Sequence, residues 1–141
     1  MSAFFQKIKR FFDFKRRNIR VWKPANIYLS VKFGGNNSVG SFSEIGENVV
    51  IGKNVRIGAM CFIPEGVCLE NDVWIAPRVT FTNDRFPPSD RSMWQMTTVK
   101  RGARLGAGVT VIPGITIGEN ALVGSGSVVT KDIPANEVWA G

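Results

Sequence analysis

Apolar residues recur at every sixth position through most of this 141-residue chain, and glycine often follows them directly. An amphipathic helix would repeat every 3.6 residues and an exposed strand every two, so this period fits neither. It predicts instead a short strand and a tight turn, repeated many times around a coil. The sixteen anchor residues on this phase are Ile27, Phe33, Val39, Ile45, Ile51, Ile57, Ile63, Leu69, Ile75, Phe81, Val99, Leu105, Val111, Ile117, Val123 and Val129.

Three six-residue units make a triangular coil, and successive coils stack as parallel strands about 4.8 Å apart. Glycine beside an anchor is expected at a corner, where a Cβ or a negative φ would be costly. Phe81 and Val99 are 18 residues apart, so the phase survives the irregular stretch between them. The sequence therefore predicts an all-β domain over residues 24–141, with about five coils and one protruding loop at about 87–98.

Positive charge is concentrated in an N-terminal arm, residues 1–23, where eight basic side chains face one acid, Asp13. The pattern predicts a short amphipathic helix, which could pack on the end of the coil or on a neighbouring subunit. It could also contact an anionic membrane surface peripherally. Nucleic acid is not an expected partner, because the remaining residues hold ten bases and ten acids. The apolar stripe of this helix consists of Phe4, Ile8, Phe11 and Phe12.

The overall composition limits the cellular location and the catalytic chemistry that we expect for this protein. No apolar run reaches the ~18 residues that a membrane span needs, and the basic, Phe-rich N-terminus is unlike a secretory signal. Two cysteines, Cys61 and Cys68, are too few for a disulfide framework, so we expect reduced thiols in a cytoplasmic protein, at the inner face of the membrane if the arm binds lipid. The chain has no histidine, which removes the commonest general base and metal ligand, and no metal is expected.

The repeating [LIV]-G-x-x-x-x pattern from Ile27 onward resembles the left-handed parallel β-helix of the hexapeptide-repeat acyltransferases. Two segments one coil apart, "IPEG" at 63–66 and "FTND" at 81–84, resemble the nucleotide-linked 3-amino-sugar N-acetyltransferases within that superfamily. The resemblance implies a left-handed coil and a homotrimer with active sites between subunits. It also implies acetyl-CoA as the co-substrate and a nucleotide-linked amino sugar as the acceptor, in cell-surface polysaccharide synthesis.

In the group that this resemblance names, the glutamate of I-x-E-G and the asparagine of T-N-D line the acceptor site. These positions are Glu65 and Asn83, and their separation of 18 residues predicts side chains one rung apart on one face. Asn83 is expected to hydrogen-bond the acceptor amine or the thioester carbonyl, and Glu65 to accept a proton or a hydrogen bond from the amine. Asp84 would hold the loop or contact sugar hydroxyls. Alternatively, Asn83 and Asp84 are ordinary turn residues and Glu65 is a solvated corner charge.

The remaining candidates concern the loop and the acyl donor. Small residues at 106–108 and 124–126 would let CoA approach the backbone, although corner packing explains them equally well. The "VVTKDIPANEVWAG" ending resembles a family segment in which a basic residue meets CoA phosphates, which implicates Lys131. The donor candidates are Ala107, Gly108, Ser125, Gly126 and Lys131. The loop candidates, which could reach a substrate bound to a neighbouring subunit, are Arg85, Arg91 and Trp94.

The missing histidine bears on the acceptor. Many hexapeptide acetyltransferases that act on hydroxyls use a histidine base, because a sugar hydroxyl has a pKa far above 7. An amine with a pKa near ~8 is partly neutral at pH 7 and needs no such base. We therefore expect direct acetyl transfer to an amine. A sugar O-acyltransferase of the same superfamily and a non-catalytic trimeric β-helix scaffold stay open as alternatives.

Overall fold

The computed structural model describes residues 2–141, which form one α-helix, one short 3-10 helix and a long coil of two- and four-residue strands. Helix α1 spans Ala3–Arg16, and the Ser2 hydroxyl caps it by accepting the Phe5 N–H at 3.3 Å. No helix among the described residues is long and apolar enough to cross a membrane. The 3-10 helix spans Arg91–Met93. The strands are β1 (Arg20–Val21), β2 (Asn26–Ile27), β3 (Lys32–Gly35), β4 (Ser38–Val39), β5 (Glu44–Ile45), β6 (Val50–Lys53), β7 (Arg56–Ile57), β8 (Phe62–Ile63), β9 (Cys68–Leu69), β10 (Trp74–Ile75), β11 (Thr80–Phe81), β12 (Thr98–Val99), β13 (Arg104–Leu105), β14 (Thr110–Val111), β15 (Thr116–Ile117), β16 (Leu122–Val123), β17 (Val128–Val129) and β18 (Val138–Trp139).

Every third strand pairs in parallel as far as β17, and β18 pairs with β16, which gives three sheets that form the faces of a coil. The first sheet has the order β1-β4-β7-β10-β13-β16-β18, the second β2-β5-β8-β11-β14-β17 and the third β3-β6-β9-β12-β15. Leu69 pairs with Val99, 30 residues later, where the other coils except the last have 18, so the interruption adds twelve residues and the phase resumes. The predicted all-β parallel β-helix and its phase are confirmed.

The coil is longer than predicted, with about seven turns rather than five, since the first sheet has seven strands. It begins at Arg20, inside the segment predicted as the arm, because β1 pairs with β4. The last turn of the coil does not follow the six-residue period. Val123 pairs with Trp139, only 16 residues later, so the last turn is two residues short and leaves the phase.

The interior is a single column of aliphatic side chains. The anchors point inward and stack on the anchors of the coils above and below, and the small residues four positions later fill the space between them. Phe81 is the largest fully buried side chain. Outward residues of the strands, such as Trp74, stay exposed. This alternation within two-residue strands is what the sequence pattern requires of a solenoid.

Two different constraints act at the corners of the coil. Glycine beside an anchor allows coils to approach, since an ideal Cβ at Gly40 would lie 2.4 Å from the Ala59 nitrogen. Positive φ occurs two residues further on, as at Asn54 (φ 60°), where asparagine and glycine are the tolerant residues. Of the two costs predicted at the anchor-adjacent glycines, the clash of a Cβ is therefore confirmed, and the requirement for a positive φ is wrong.

Asparagines at one corner also form a hydrogen-bonded ladder along the coil. The Asn18 side-chain amide donates to Asn36, Asn36 donates to Asn54, and Asn54 donates to Asp72, at 2.8, 2.8 and 3.0 Å. Each step joins residues 18 apart, so the ladder repeats with the coil. It starts at the end of α1 and thereby ties the helix to the first turns.

The apolar stripe of helix α1 is not buried. The sequence predicts that this stripe could pack on the end of the coil. Phe4 is 69% exposed and Phe11 is 66% exposed. The contact with the first coil uses the opposite face of the helix, where the Phe14 ring lies 5.1 Å from the Phe33 ring in an edge-to-face arrangement. The Arg10 guanidinium adds a 2.7 Å hydrogen bond to the Tyr28 carbonyl. The predicted packing of the stripe on this chain's own coil was wrong.

Replacing Gly40 by alanine is expected to lower the free energy of unfolding by about 3 kcal/mol, because the added methyl group meets backbone rather than a movable side chain. Gly108→Ala is the matched control. Its φ of +69° is strained for alanine, but no atom lies within 4 Å of the new Cβ, so we expect a cost of about 1 kcal/mol. Urea unfolding of both variants measures the difference. Equal costs would contradict close approach as the constraint at Gly40.

Candidate functional site

The corner that follows the second sheet collects the predicted acceptor residues in one column. Thr80 pairs with Phe62, so Glu65 and Asn83, each three residues after these positions, lie one coil apart as predicted. We call this edge the loop corner. It is formed by Glu47, Glu65, Asn83, Pro113 and Lys131, each two residues after a strand of the second sheet.

The loop leaves the coil at this corner and returns to it. Its twelve inserted residues are 85–96 rather than the predicted 87–98, because Thr97 is fully buried in the coil and Thr98 begins β12. The Gln95 N–H donates to the Asn83 carbonyl at 2.9 Å and so closes the base of the loop. Met96 lies directly over Gly66, where an ideal Cβ would come within 2.9 Å of its side chain. The end of the loop therefore packs on the corner instead of protruding.

Arg91 of the loop binds two carboxylates of the loop corner. Its Nε donates to Glu65 Oε2 at 2.8 Å, and its Nη2 donates to Glu65 Oε1 at 2.7 Å and to Glu47 Oε2 at 2.8 Å. Two carboxylates and one guanidinium leave this cluster with a net charge of −1. Glu47 was not among the predicted residues, although it lies 18 positions before Glu65 and counting could have found it.

The ion pair changes the acid–base character of both partners. The hydrogen bonds from Arg91 lower the pKa of the Glu65 carboxyl, and the bonds to Glu65 and Glu47 raise the pKa of the Arg91 guanidinium. Glu65 is therefore anionic at neutral pH and a weak proton acceptor. Of its two predicted roles, this geometry favours accepting a hydrogen bond over accepting a proton.

Asn83 and Asp84 of the "FTND" segment and the following Arg85 have separate surroundings. The half-buried Asn83 side chain makes no hydrogen bond to any of residues 2–141, so its amide is available to a ligand. The Asp84 carboxylate accepts the Ser89 hydroxyl at 2.6 Å and the Ser89 and Phe86 N–H groups at 2.9 and 3.1 Å. These bonds, the Ser89 hydroxyl first, lower the Asp84 pKa. Asp84 thus holds the loop, and Arg85 Nη1 donates to the Pro113 carbonyl at 3.3 Å.

A small cleft lies between the loop and its corner. Its volume is about 60 Å³, whereas pockets for small molecules are typically ~300–1,000 Å³. The cleft of a single chain is therefore too small to enclose a ligand of that kind by itself. Gln95 and Met96 were not predicted, and the glycines beneath them, Gly114 and Gly66, are the sequence signal for a segment that crosses the corner. The lining residues are Glu65, Arg91, Trp94, Gln95 and Met96.

The predicted donor residues divide between two corners. Residues 106–108 and 124–126 both follow strands of the first sheet. These two segments stack on each other, because the Gly126 N–H donates to the Ala107 carbonyl at 2.8 Å. Ser125 is exposed at this edge. Ideal Cβ atoms at Gly108 and Gly126 would meet nothing within 4 Å. Lys131 instead lies on the loop corner, with its ammonium 5.1 Å from the Trp139 ring.

Across residues 2–141, no three His, Cys, Asp or Glu side chains are grouped so that they could hold a metal ion. Cys61 is buried and Cys68 is partly buried, and both are free thiols. Burial raises the pKa of both thiols, which keeps them protonated and unreactive. The polar groups that the loop corner offers to a ligand are its carboxylates, the Arg91 guanidinium, the Asn83 amide and the Lys131 ammonium.

A parallel β-helix built on a six-residue repeat and interrupted by one ordered loop defines the class of this chain. The family model "Bacterial transferase hexapeptide (six repeats)" matches residues 30–65 and 96–131. The chain belongs to this family.

Comparison with individual proteins agrees with this assignment. The galactoside O-acetyltransferase of Lactococcus lactis is 37% identical, over 71% of this chain and 59% of that protein. The chain thus spans about three-fifths of this relative's length. The acetyltransferase domain of PglB from Neisseria gonorrhoeae, in complex with acetyl coenzyme A, has a TM-score of 0.78 at 18% identity, over 96% of this chain and 63% of that one. AntD, an N-acyltransferase from Bacillus cereus in complex with dTDP and 3-hydroxybutyryl-CoA, has a TM-score of 0.79 at 21% identity, over 89% of this chain and 76% of that one. The two structural likenesses show the shared fold.

Replacing Arg91 by glutamine is expected to raise the pKa of Glu65. Because the folded pKa is lowered, the ion pair stabilises the fold above the ordinary glutamate value near ~4.3, and this contribution is lost as the pH falls through the lowered value. A carboxyl ¹³C NMR titration measures the shift directly. Lys100→Gln removes an ion pair to Glu70 elsewhere and should leave the Glu65 titration unchanged. An unchanged Glu65 pKa in Arg91→Gln would refute the pairing.

Replacing Asp84 by alanine is expected to loosen the loop without unfolding the coil, because three hydrogen bonds inside the loop are lost while the core is untouched. Amide hydrogen exchange at Phe86 and Ser89 should become at least ~10-fold faster. Asp90→Ala is the control, since the Asp90 side chain does not cap the 3-10 helix. Equal exchange in both variants would show that Asp84 does not hold the loop.

Proposed function

We propose that this chain forms an acetyl-CoA-dependent N-acetyltransferase that acylates the 3-amino group of a nucleotide-linked amino sugar in cell-surface polysaccharide synthesis. The observation that carries the proposal is the loop corner of a chain without histidine. There the unpaired Asn83 amide lies one coil from the anionic cluster of Glu65, Arg91 and Glu47. The two free thiols suit a reducing compartment, so we place the enzyme in the cytoplasm.

The charge of the cluster supports an amine as the acceptor. A net charge of −1 attracts the protonated amine and orients it beside Asn83. The bound ammonium gives one proton to solvent, and the neutral amine attacks the thioester carbonyl carbon, so a C–N bond forms and the C–S bond breaks. The proton released by the nitrogen leaves with the coenzyme A thiolate as thiol. Asn83 would donate a hydrogen bond to the carbonyl oxygen as negative charge develops on it.

The donor fits the exposed glycine edge of the first sheet. Gly108 and Gly126 leave open space where any side chain would stand, so an extended thioester could lie against the backbone there. Acetyl coenzyme A supplies the activated acetyl group. The complexes of PglB with acetyl coenzyme A and of AntD with 3-hydroxybutyryl-CoA support this donor class on the shared fold.

The small cleft supports assembly into a homotrimer. A volume of about 60 Å³ leaves a nucleotide sugar mostly uncovered, so a second surface must complete the site. A neighbouring subunit packed beside the loop corner would supply it, with Trp94 and Arg85 of the loop facing the shared space. This arrangement matches the subunit-interface sites that the family resemblance implies.

A specific observation favours a second candidate, transfer to a sugar hydroxyl. The relative from Lactococcus lactis is a galactoside O-acetyltransferase. A hydroxyl acceptor needs a base with a pKa near 7, however, and the carboxylate at the loop corner has a lowered pKa. The amine therefore ranks first, and a non-catalytic scaffold is the third alternative.

Acetyl-CoA turnover, followed as release of free thiol, tests the proposal against nucleotide-linked 3-amino sugars, their 4-amino isomers and galactosides. We expect turnover with the 3-amino sugars, and Asn83→Ala should lower kcat by about 10²–10³-fold with unchanged thermal stability. Asn26→Ala, an exposed asparagine on an outer face, is the matched control. Turnover with galactosides alone would identify an O-acetyltransferase, and absence of both turnover and coenzyme A binding would identify a scaffold.

A further inference from the structure

Helix α1 has one face on the coil and one face in solvent. Arg10, Asp13, Phe14 and Arg17, at helical spacing, make the contacts with the first coil or with one another. Rotation of 100° per residue places the side chains of the apolar stripe on the opposite side. The exposed fractions on that side are 69% for Phe4, 64% for Phe5, 40% for Ile8, 66% for Phe11 and 63% for Phe12. A helix whose own fold leaves four phenylalanines uncovered presents an interaction surface.

Basic side chains border this stripe. Lys7 lies on one side of it, Lys9 and Arg16 lie on the other, and Lys15 continues it at the last turn of the helix, all of them exposed. The acidic residue of the segment, Asp13, is on the other face and already binds Arg16 and Arg17 at 3.1 and 3.2 Å. The exposed face is therefore apolar along its centre and cationic along its edges.

We propose that helix α1 binds the surface of an anionic lipid bilayer, with its phenylalanines among the acyl chains and its lysines at the headgroups. The helix has 14 residues and does not meet the length of a membrane span, so it would lie in the plane of the interface. The charge argues for lipid over a second copy of the chain. Two apposed copies would bring together two arms that each carry eight bases and one acid, and these repel.

This inference is independent of the proposed acetyl transfer, because binding is measured without substrates. Vesicle flotation compares pure phosphatidylcholine with phosphatidylcholine containing about 30% phosphatidylglycerol, using the full chain. We expect binding to the anionic vesicles, weakened by salt, and little binding to the neutral ones. Equal binding to both would overturn the electrostatic part of the proposal, and no binding to either would overturn all of it.

Two pairs of variants separate the apolar and the cationic contributions. Phe4→Ser with Phe11→Ser should weaken binding at least ~10-fold, while Phe86→Ser, an equally exposed phenylalanine of the loop, should not. Lys7→Gln with Lys9→Gln should weaken binding about 25-fold, at about fivefold for each cation near the surface. The matched control, Lys53→Gln with Arg56→Gln on the coil, should have no effect.

The same variants test the alternative that a second copy of this chain covers the apolar stripe. Light scattering after size exclusion gives the oligomeric state of the wild type and of the Phe4→Ser, Phe11→Ser variant. An unchanged oligomer together with lost vesicle binding supports the membrane surface. A dissociated oligomer with retained vesicle binding would show that the stripe lies between copies of the chain, and would overturn the proposal.

Discussion

Close contact between anchor-adjacent glycines, such as Gly46, and the backbone of the next coil sets the geometry on which the site depends. An ideal Cβ at Gly46 would lie 2.7 Å from the nitrogen of Glu65, so no larger residue can hold these coils at this distance. Glu47 directly follows Gly46. The backbones at Glu47 and Glu65 are therefore about one strand spacing apart, ~4.8 Å. One guanidinium reaches both carboxylates, through hydrogen bonds from Arg91 at 2.7 and 2.8 Å.

Arg91 in turn offsets the repulsion between the two carboxylates. Neighbouring carboxylates repel each other, and the guanidinium that lies between them donates hydrogen bonds to both. The cluster of two carboxylates and one guanidinium retains a single net negative charge. The loop reaches the corner because the inserted twelve residues preserve the phase, so β12 rejoins its sheet in register. The repeat thus fixes the two carboxylates, and the interruption of the repeat supplies their partner.

The six-residue period predicted those features of the structure that repeat with the coil. It gave the inward column, the register across the loop and the stacking of Glu65 under Asn83, because each follows from 18 residues per coil. The same count would have placed Glu47 beneath Glu65 and Lys131 on the loop corner. It could not give the pairing of Arg91, which depends on the path of a non-repeating loop. Nor could it show which side of α1 meets the coil, because Phe14, which packs on the coil, and the phenylalanines of the exposed stripe are the same type of residue.

The lowered pKa of Glu65 connects the fold to the proposed choice of acceptor. A carboxylate held by two hydrogen bonds from Arg91 gives up basicity, which a reaction at a sugar hydroxyl cannot tolerate because it must remove a proton from a very weak acid. An amine needs no such step, since part of it is already neutral at pH 7. It gains instead from a fixed negative charge that attracts its cationic form. The ion pair that makes this corner a poor base therefore makes it a suitable place for an amine.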